Sequence, residues 1–282
     1  MDADHCHFPD DGTNAAGEPL LVVDHASYQY LERFPALDDV SLTVHRGEKL
    51  AMLGANGCGK STLLKVLDGL VFPQTGTYRA FGADVTEDNL EDERFNEGFR
   101  GRIGFIFQNS DAQVFSSSVR DEIAFGPLNM GLATDVVERR VADTLGMLDI
   151  ADLADRAPYQ LSGGQKKRVA IASVLVMNPD VLLFDEPTAA LDPRTKQWLL
   201  ELILELNHAG KTIILATHDL ETLDHLASRC VVFSEGHRIV ADGPTSDILD
   251  QRDLLLHVNL IHQRSSLSLP SIHPQWHARL ER

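Results

Sequence analysis

Residues 49–62 read KLAMLGANGCGKST, and few stretches restrict the folding of a chain more tightly. A short apolar run has the character of a buried strand, and a glycine-rich turn then feeds an immediate helix start. The small residues let successive backbone N–H groups turn inward around an anion, and the new helix adds the positive end of its dipole. Gly54, Gly59, Lys60 and Ser61 satisfy G-x-x-x-x-G-K-[ST], the spacing of a loop that cradles phosphates. The expected nucleotide contacts are therefore Gly54, Ala55, Asn56, Gly57, Cys58, Gly59, Lys60, Ser61 and Thr62. Lys60 is expected to reach the β- and γ-phosphates of a nucleoside triphosphate, and the Ser61 hydroxyl to ligate Mg²⁺. The helix that follows should bury Leu63, Val66, Leu67 and Leu70 on one face.

The rest of the chain alternates as an α/β protein does. LLVVDHASYQY, VSLTVHRG, GTYRAFG and RIGFIFQ read as strands, whereas VLLFD and TIILAT are uniformly apolar, as buried parallel strands are. Between Gln108 and Gln160 the pattern is helical, with Val137, Val141, Leu145 and Leu148 on one face and Gly126-Pro127 as an expected break. Asp185 ends VLLFD, where its carboxylate can hold Mg²⁺ through water. Glu186 follows as a base for an attacking water. TIILAT delivers His218 to the same edge, placed to hydrogen-bond a γ-phosphate. Gln108 supplies a neutral amide that can touch Mg²⁺ and withdraw without stranding a charge.

A second helix start, LSGGQKKR, is harder to explain by helix formation alone. Ser162 and Gln165 fit a capping box. The capping box leaves Gly163 and Gly164 unexplained, since each costs about 1 kcal/mol relative to alanine within a helix. They make sense where a ligand approaches the backbone closely. Because the chain already has a phosphate loop, the economical reading is that this helix end caps a γ-phosphate held by a second subunit. The expected assembly is a head-to-tail pair closed on two nucleotides.

Charge narrows the partners. The net charge of −17 disfavours nucleic acid and direct adsorption to an anionic membrane. Three scattered cysteines (Cys6, Cys58, Cys230) give no disulfide framework. The opening MDADHCHFPDDG has neither a basic region nor an apolar run, and no apolar stretch is long enough to span a bilayer. The expectation is a soluble cytosolic protein. Residues 1–19 read as a disordered acidic tail, 20–262 as the folded domain with a helical subdomain at about 109–165, and 263–282 as a loose tail. His5, His7, His257, His262, His273 and His277 lack the spacing of a metal site and read as solvated or packing residues.

GANGCGKST, Gln108, LSGGQ, VLLFDEP, the ALD of residues 190–192 and the ATHD around His218 occur in the order found in ATP-binding cassette proteins, and from about Leu20 to His262 the chain resembles that family. The resemblance implies a P-loop NTPase (RecA-like) core with an antiparallel β subdomain and an α-helical signature subdomain. It implies ATP and Mg²⁺ as the bound groups, Tyr30 stacked on the adenine and Asp192 at the dimer interface. Cys58 replaces the family's usual alanine, and TAALD stands for TAGLD. The Cys58 thiol either is activated by the loop's N–H groups and Lys60, or turns inward in alanine's place. FQNSDAQVFSSSVRDEIAFGPLNMGL and LSGGQKKRVAIASVLVMNPDVLLFDEPTAALDPR are similar to ATPases of energy-coupling factor importers, and within these ADGPTSDIL and HVNLIH are similar to the cobalt- and nickel-type members. All nucleotide motifs look intact, so a homodimer of the ATPase is expected, and the similarity implies a peripheral place at the cytoplasmic face of the membrane. Its partners would be a transmembrane scaffold and a substrate-capture protein. Asp121 and Glu122 read either as solvated acids or as acceptors of scaffold arginines. Vitamin importers such as those for biotin, and soluble cassette ATPases, are the alternatives. The roughly fifty residues between Gln108 and LSGGQ are too few for the long coiled coil common in the latter.

Overall fold

The computed structural model describes residues 19–261. The tails expected at either end, with Cys6, His5, His7, His262, His273 and His277, lie outside the described residues.

Two sheets organise the fold. The first is antiparallel, in the order β2-β1-β4-β5, from β1 (Pro19–Tyr30), β2 (Phe34–His45), β4 (Thr75–Ala80) and β5 (Ala83–Asp84). The second runs β10-β9-β3-β8-β7-β6, from β3 (Lys49–Leu53), β6 (Ile103–Ile106), β7 (Val181–Asp185), β8 (Thr212–Thr217), β9 (Arg229–Phe233) and β10 (Ile239–Pro244). Its strands are parallel except for the β9–β10 pair. The described helices of eight or more residues are α1 (Lys60–Leu67), α2 (Glu93–Arg100), α3 (Val119–Asn129), α4 (Thr134–Met147), α5 (Gly163–Leu175) and α6 (Pro193–His208).

Strand alternation sends the side chains of β7 and β8 into two different core clusters. Val181 and Leu183 of β7, with Ile214 and Ala216 of β8, join the cluster formed with the antiparallel sheet, α1 and Phe95 and Phe99 of α2. Leu182, Phe184, Ile213 and Leu215 face the other way, into the cluster built with α3, α4, α5 and α6. Every residue of β7 and β8 is buried, which is why both read as unbroken apolar runs.

Register then sets the site. Leu53 pairs with Thr217, Asp185 with Ala216, and Ile106 with Phe184. The residues that follow these strands, Gly54, Glu186, His218 and Phe107, therefore emerge together at the carboxyl edge of the parallel sheet, where α/β folds bind ligands.

Two local expectations fail for tertiary reasons. Leu70 is 46% exposed rather than buried, because Asp68 ends α1 and Gly69 turns away at φ 62°. A Cβ on Gly69 would meet Leu90 at 2.8 Å and Phe99 at 3.1 Å, so the turn is packed against its neighbours. The expected break at Gly126-Pro127 is also absent, since α3 runs through both residues to Asn129. Pro127 is buried, and Gly126 lies close under Met177, so packing overrides the missing N–H donor.

Candidate active site

The loop after β3 is shaped by contacts that leave no room for a side chain at Gly54 or Gly59. A Cβ on Gly59, at φ 115°, would lie 2.3 Å from the Ala36 carbonyl oxygen, and one on Gly54 would lie 2.6 Å from Cys58 Sγ. Lys60 is 5% exposed, and its ammonium donates to the carbonyls of Gly54 (2.7 Å) and Ala55 (3.2 Å). α1 starts at once, with Leu63 N–H donating to Gly59 O. The first turn thus carries its positive end to the loop.

Cys58 takes the inward orientation. It is 2% exposed, and burial raises its thiol pKa against the lowering effect of Lys60. Of the two expected orientations the structure takes the inward one: the sulfur fills space under Gly54 instead of facing a ligand. Cys230 is likewise buried and its pKa raised by burial. A small alkylating reagent at neutral pH should label Cys58 at least roughly tenfold more slowly in the folded chain than in denaturant. Mass spectrometry of the peptide containing Cys58 reads this out, and equal rates would show an exposed thiol.

Beyond the loop stand the acids. Asp185 accepts from the Ser61 hydroxyl at 2.8 Å. Burial pushes the Asp185 carboxyl up, the Ser61 hydroxyl opposes this, and the Glu186 charge adds to the rise. Glu186 occupies the left-handed region at φ 44°, pinned by donation of its N–H to Ala216 O at 2.9 Å. Such a conformation costs on the order of 1–3 kcal/mol and persists where the surroundings over-determine it. The result is a buried carboxylate whose Oε1 lies 2.9 Å from Nδ1 of His218, a half-exposed ring.

These groups share a cleft of about 480 Å³ lined by Tyr30, Phe34, Asn56, Gly57, Gly59, Lys60, Ser61, Thr62, Gln108, Glu186 and His218, among others. Gly54, Ala55, Cys58 and Asp185 are not in its wall; Gly54 and Cys58 pack behind the loop, and Asp185 is reached through Ser61. The Tyr30 hydroxyl lies 3.4 Å from Thr62 Oγ1, and Lys65 Nζ sits 5.9 Å from the Tyr30 ring centre. Phe34 was missed in the sequence. It pairs with Tyr30 across the turn joining β1 and β2 and is 54% exposed, so an aromatic residue directly after that turn was the available signal. Ser61 and Asp185 together offer oxygen donors of the kind a hard divalent cation takes.

Ser162, Gly163, Gly164, Gln165 and Asp192 are not in this cleft. They line a second one of about 780 Å³, and Gln108 borders both. Ser162 and Gln165 make the expected capping box, with Ser162 N–H donating to Gln165 Oε1 at 3.0 Å. The two glycines differ. A Cβ on Gly163 would meet nothing within 4 Å, whereas one on Gly164 would lie 2.9 Å from the Thr195 hydroxyl. The missing side chain of Gly164 thus answers to this chain's own α6, whereas at Gly163 the space a Cβ would take is open. Asp192 caps α6, accepting from the N–H groups of Arg194 and Thr195 and from the Thr195 hydroxyl at 2.6 Å. The Thr195 hydroxyl foremost holds its carboxyl below the usual range.

The acidic pair on α3 also divides. Glu122 is 4% exposed and accepts from the N–H groups of Phe115 (2.9 Å) and Ser116 (2.7 Å). Its expected role as an acceptor of scaffold arginines is corrected, because its carboxylate already closes its own loop. Asp121 is exposed and accepts from the Ser117 hydroxyl at 2.6 Å. Glu122→Ala should lower the unfolding free energy by about 2 kcal/mol, as charge-assisted hydrogen bonds are lost. Urea denaturation measures it, and no change would place the carboxylate outside the fold's support.

Among the described residues no helix is long and apolar enough to cross a membrane. The ABC transporter family profile matches residues 37–189. The chain is 46% identical over 216 residues to a nickel import ATP-binding protein, LarO, of Lactiplantibacillus plantarum, covering 77% of this chain and 89% of that one. It is 41% identical over 251 residues to the energy-coupling factor transporter ATP-binding protein EcfA of Methanothermobacter thermautotrophicus, covering 89% of this chain and 77% of that one. Among solved structures it is similar to cbiO1 of Clostridium perfringens, described as part of the ABC transporter complex cbiONQ. The TM-score there is 0.73 at 34% identity, over 94% of this chain and 99% of that one.

Proposed function

The chain belongs to the ABC transporter ATP-binding family, and from that premise we propose that two copies close head to tail on two ATP molecules and power an energy-coupling factor importer of nickel or cobalt. The observation that carries the paired site is the separation of two half-sites on one chain. Lys60, Ser61, Glu186 and His218 line one cleft, and the signature residues Ser162–Gln165 with Asp192 line another. A second copy supplies what each cleft lacks. The metal substrate rests on the similarity to a nickel import ATPase and to a cbiONQ component, and on the sequence similarity to cobalt- and nickel-type ATPases.

In this reading residues 20–262 form the ATPase domain, docked at the cytoplasmic face of the membrane through a transmembrane scaffold that also carries the capture protein. Tyr30 stacks on the adenine, a role suited to an aromatic ring at the cleft's edge. The N–H groups of the Gly54–Thr62 loop and the Lys60 ammonium hold the phosphates. Ser61, Asp185 and Gln108 would hold Mg²⁺, which when bound offsets phosphate charge. Glu186 takes the proton of the attacking water, and His218, hydrogen-bonded to Glu186, orients toward the γ-phosphate. Gly163 of the partner copy is open for backbone approach to that phosphate. Metal ions never touch this subunit on their way across.

Complementation tests the shared geometry. Lys60→Ala damages one half-site and Ser162→Arg the other, so each variant alone should be inactive. Mixtures should regain ATP-driven dimerisation and a fraction of turnover through one intact composite site. Mixtures as dead as the single variants would break the head-to-tail reading. Uptake of radiolabelled nickel or cobalt by the reconstituted complex, with vitamins as competitors, tests the substrate.

A further inference from the structure

The three basic residues after the signature glycines do different things. Lys166 lines the signature cleft, and Arg168 lies 4.3 Å over the Trp198 ring while donating to Leu148 O at 2.9 Å. Lys167 turns inward. It is 2% exposed, and its ammonium donates to the Phe107 carbonyl at 3.1 Å. The same residue is held from the other side, since Phe107 N–H donates to Gln113 Oε1 at 3.1 Å. The Gln113 amide in turn donates to Ala170 O, on α5, at 3.2 Å.

Phe107 lies just beyond the last residue of β6 and immediately before Gln108, which borders both clefts. The lead-in to Gln108 is thus gripped on its N–H and on its carbonyl by side chains rooted in, or tied to, the helix that Ser162 starts. Burying an ammonium is expensive, and an apolar residue of like volume is often neutral or stabilising in such a place. Burial pulls the Lys167 pKa down to about 8, opposed by the Asp185 charge. Packing alone gives no reason for a lysine here; the Phe107 carbonyl does.

We propose that Lys167 is a positioning residue for Gln108, tying the Phe107 carbonyl to the signature helix so that Gln108 follows that helix as it closes on a partner's nucleotide. The inference rests on the ATPase reading of the cleft. It gives the signature helix a mechanical route into its own chain's nucleotide cleft as well as a face toward its partner's.

A double-mutant cycle on the full chain decides it. Lys167→Met should lower kcat by about tenfold while KM for ATP and the Kd of a fluorescent ATP analogue stay within about twofold. In the Gln108→Ala background the same change should slow turnover no further, because its effect runs through Gln108. Lys167→Arg, which keeps a charged donor, should recover most of the loss. Should Lys167→Met fail to fold, Lys167→Gln, with a neutral donor, enters the same cycle. Unchanged kcat in the single variant, or an equal loss in the Gln108→Ala background, would overturn the proposal. An inactive wild-type chain would instead overturn the ATPase reading. Hydrogen exchange would then judge the tie, with amides of Gln108 and Asn109 exchanging at least roughly tenfold faster in Lys167→Met, and equal rates refuting it.

Discussion

Glu186→Gln should hydrolyse ATP at least about a hundredfold more slowly than the wild type, the usual contribution of a positioned general base, while still binding it. The amide is nearly isosteric, so what it removes is proton acceptance and little else. Glu186 is poorly suited to a purely structural part: its carboxylate meets the His218 ring at 2.9 Å and lines the cleft. Its backbone is fixed at φ 44° by the bond to Ala216 O, so substitution leaves the next residues in place. Single-turnover phosphate release set against nucleotide affinity separates the two effects. The closed dimer should accumulate, because binding continues while its discharge stalls. Turnover within about threefold of the wild type would remove the base assignment.

Lys60→Ala should fail earlier, at binding. The ammonium is the one side-chain cation among the residues lining the nucleotide cleft, and it points into the loop, 2.7 Å from the Gly54 carbonyl. A charge-assisted contact contributes about 1.5–3 kcal/mol, so loss of contacts to two phosphates should weaken ATP binding by about a hundredfold or more. Calorimetric titration measures the affinity, and thermal unfolding shows whether the fold survives. An affinity within about threefold of the wild type would mean that the loop's N–H groups suffice.

Much of this site was legible because its elements are local. KLAML, VLLFD and TIILAT are contiguous apolar strands, and a parallel register sends whatever follows them to one edge. The phosphate loop and the capping box are also complete within a few residues. What escaped the sequence depends on partners far along the chain. Gly164 is explained by Thr195, and Lys167 by a carbonyl some sixty residues earlier. Glu122 was misread and Cys58 left open between two readings because side-chain direction is set by packing, which composition does not encode. The uninterrupted α3 makes the same point, since Met177 and the neighbouring helix decide what Gly126-Pro127 does.

The unequal surroundings of Gly163 and Gly164 also matter for inheritance. A methyl group at Gly164 collides with the chain's own Thr195, so such a chain is strained whether or not it finds a mate. Its harm stays with the allele that encodes it, and a second, normal copy of the gene masks it. A methyl at Gly163 meets nothing in its own chain. Under the proposed head-to-tail pairing, that chain should fold, accumulate and still pair, carrying its fault into the nucleotide site of a healthy companion. In the proposed paired site, substitutions at these two adjacent glycines should therefore differ in dominance, with lesions at Gly164 recessive and lesions at Gly163 poisoning the wild type.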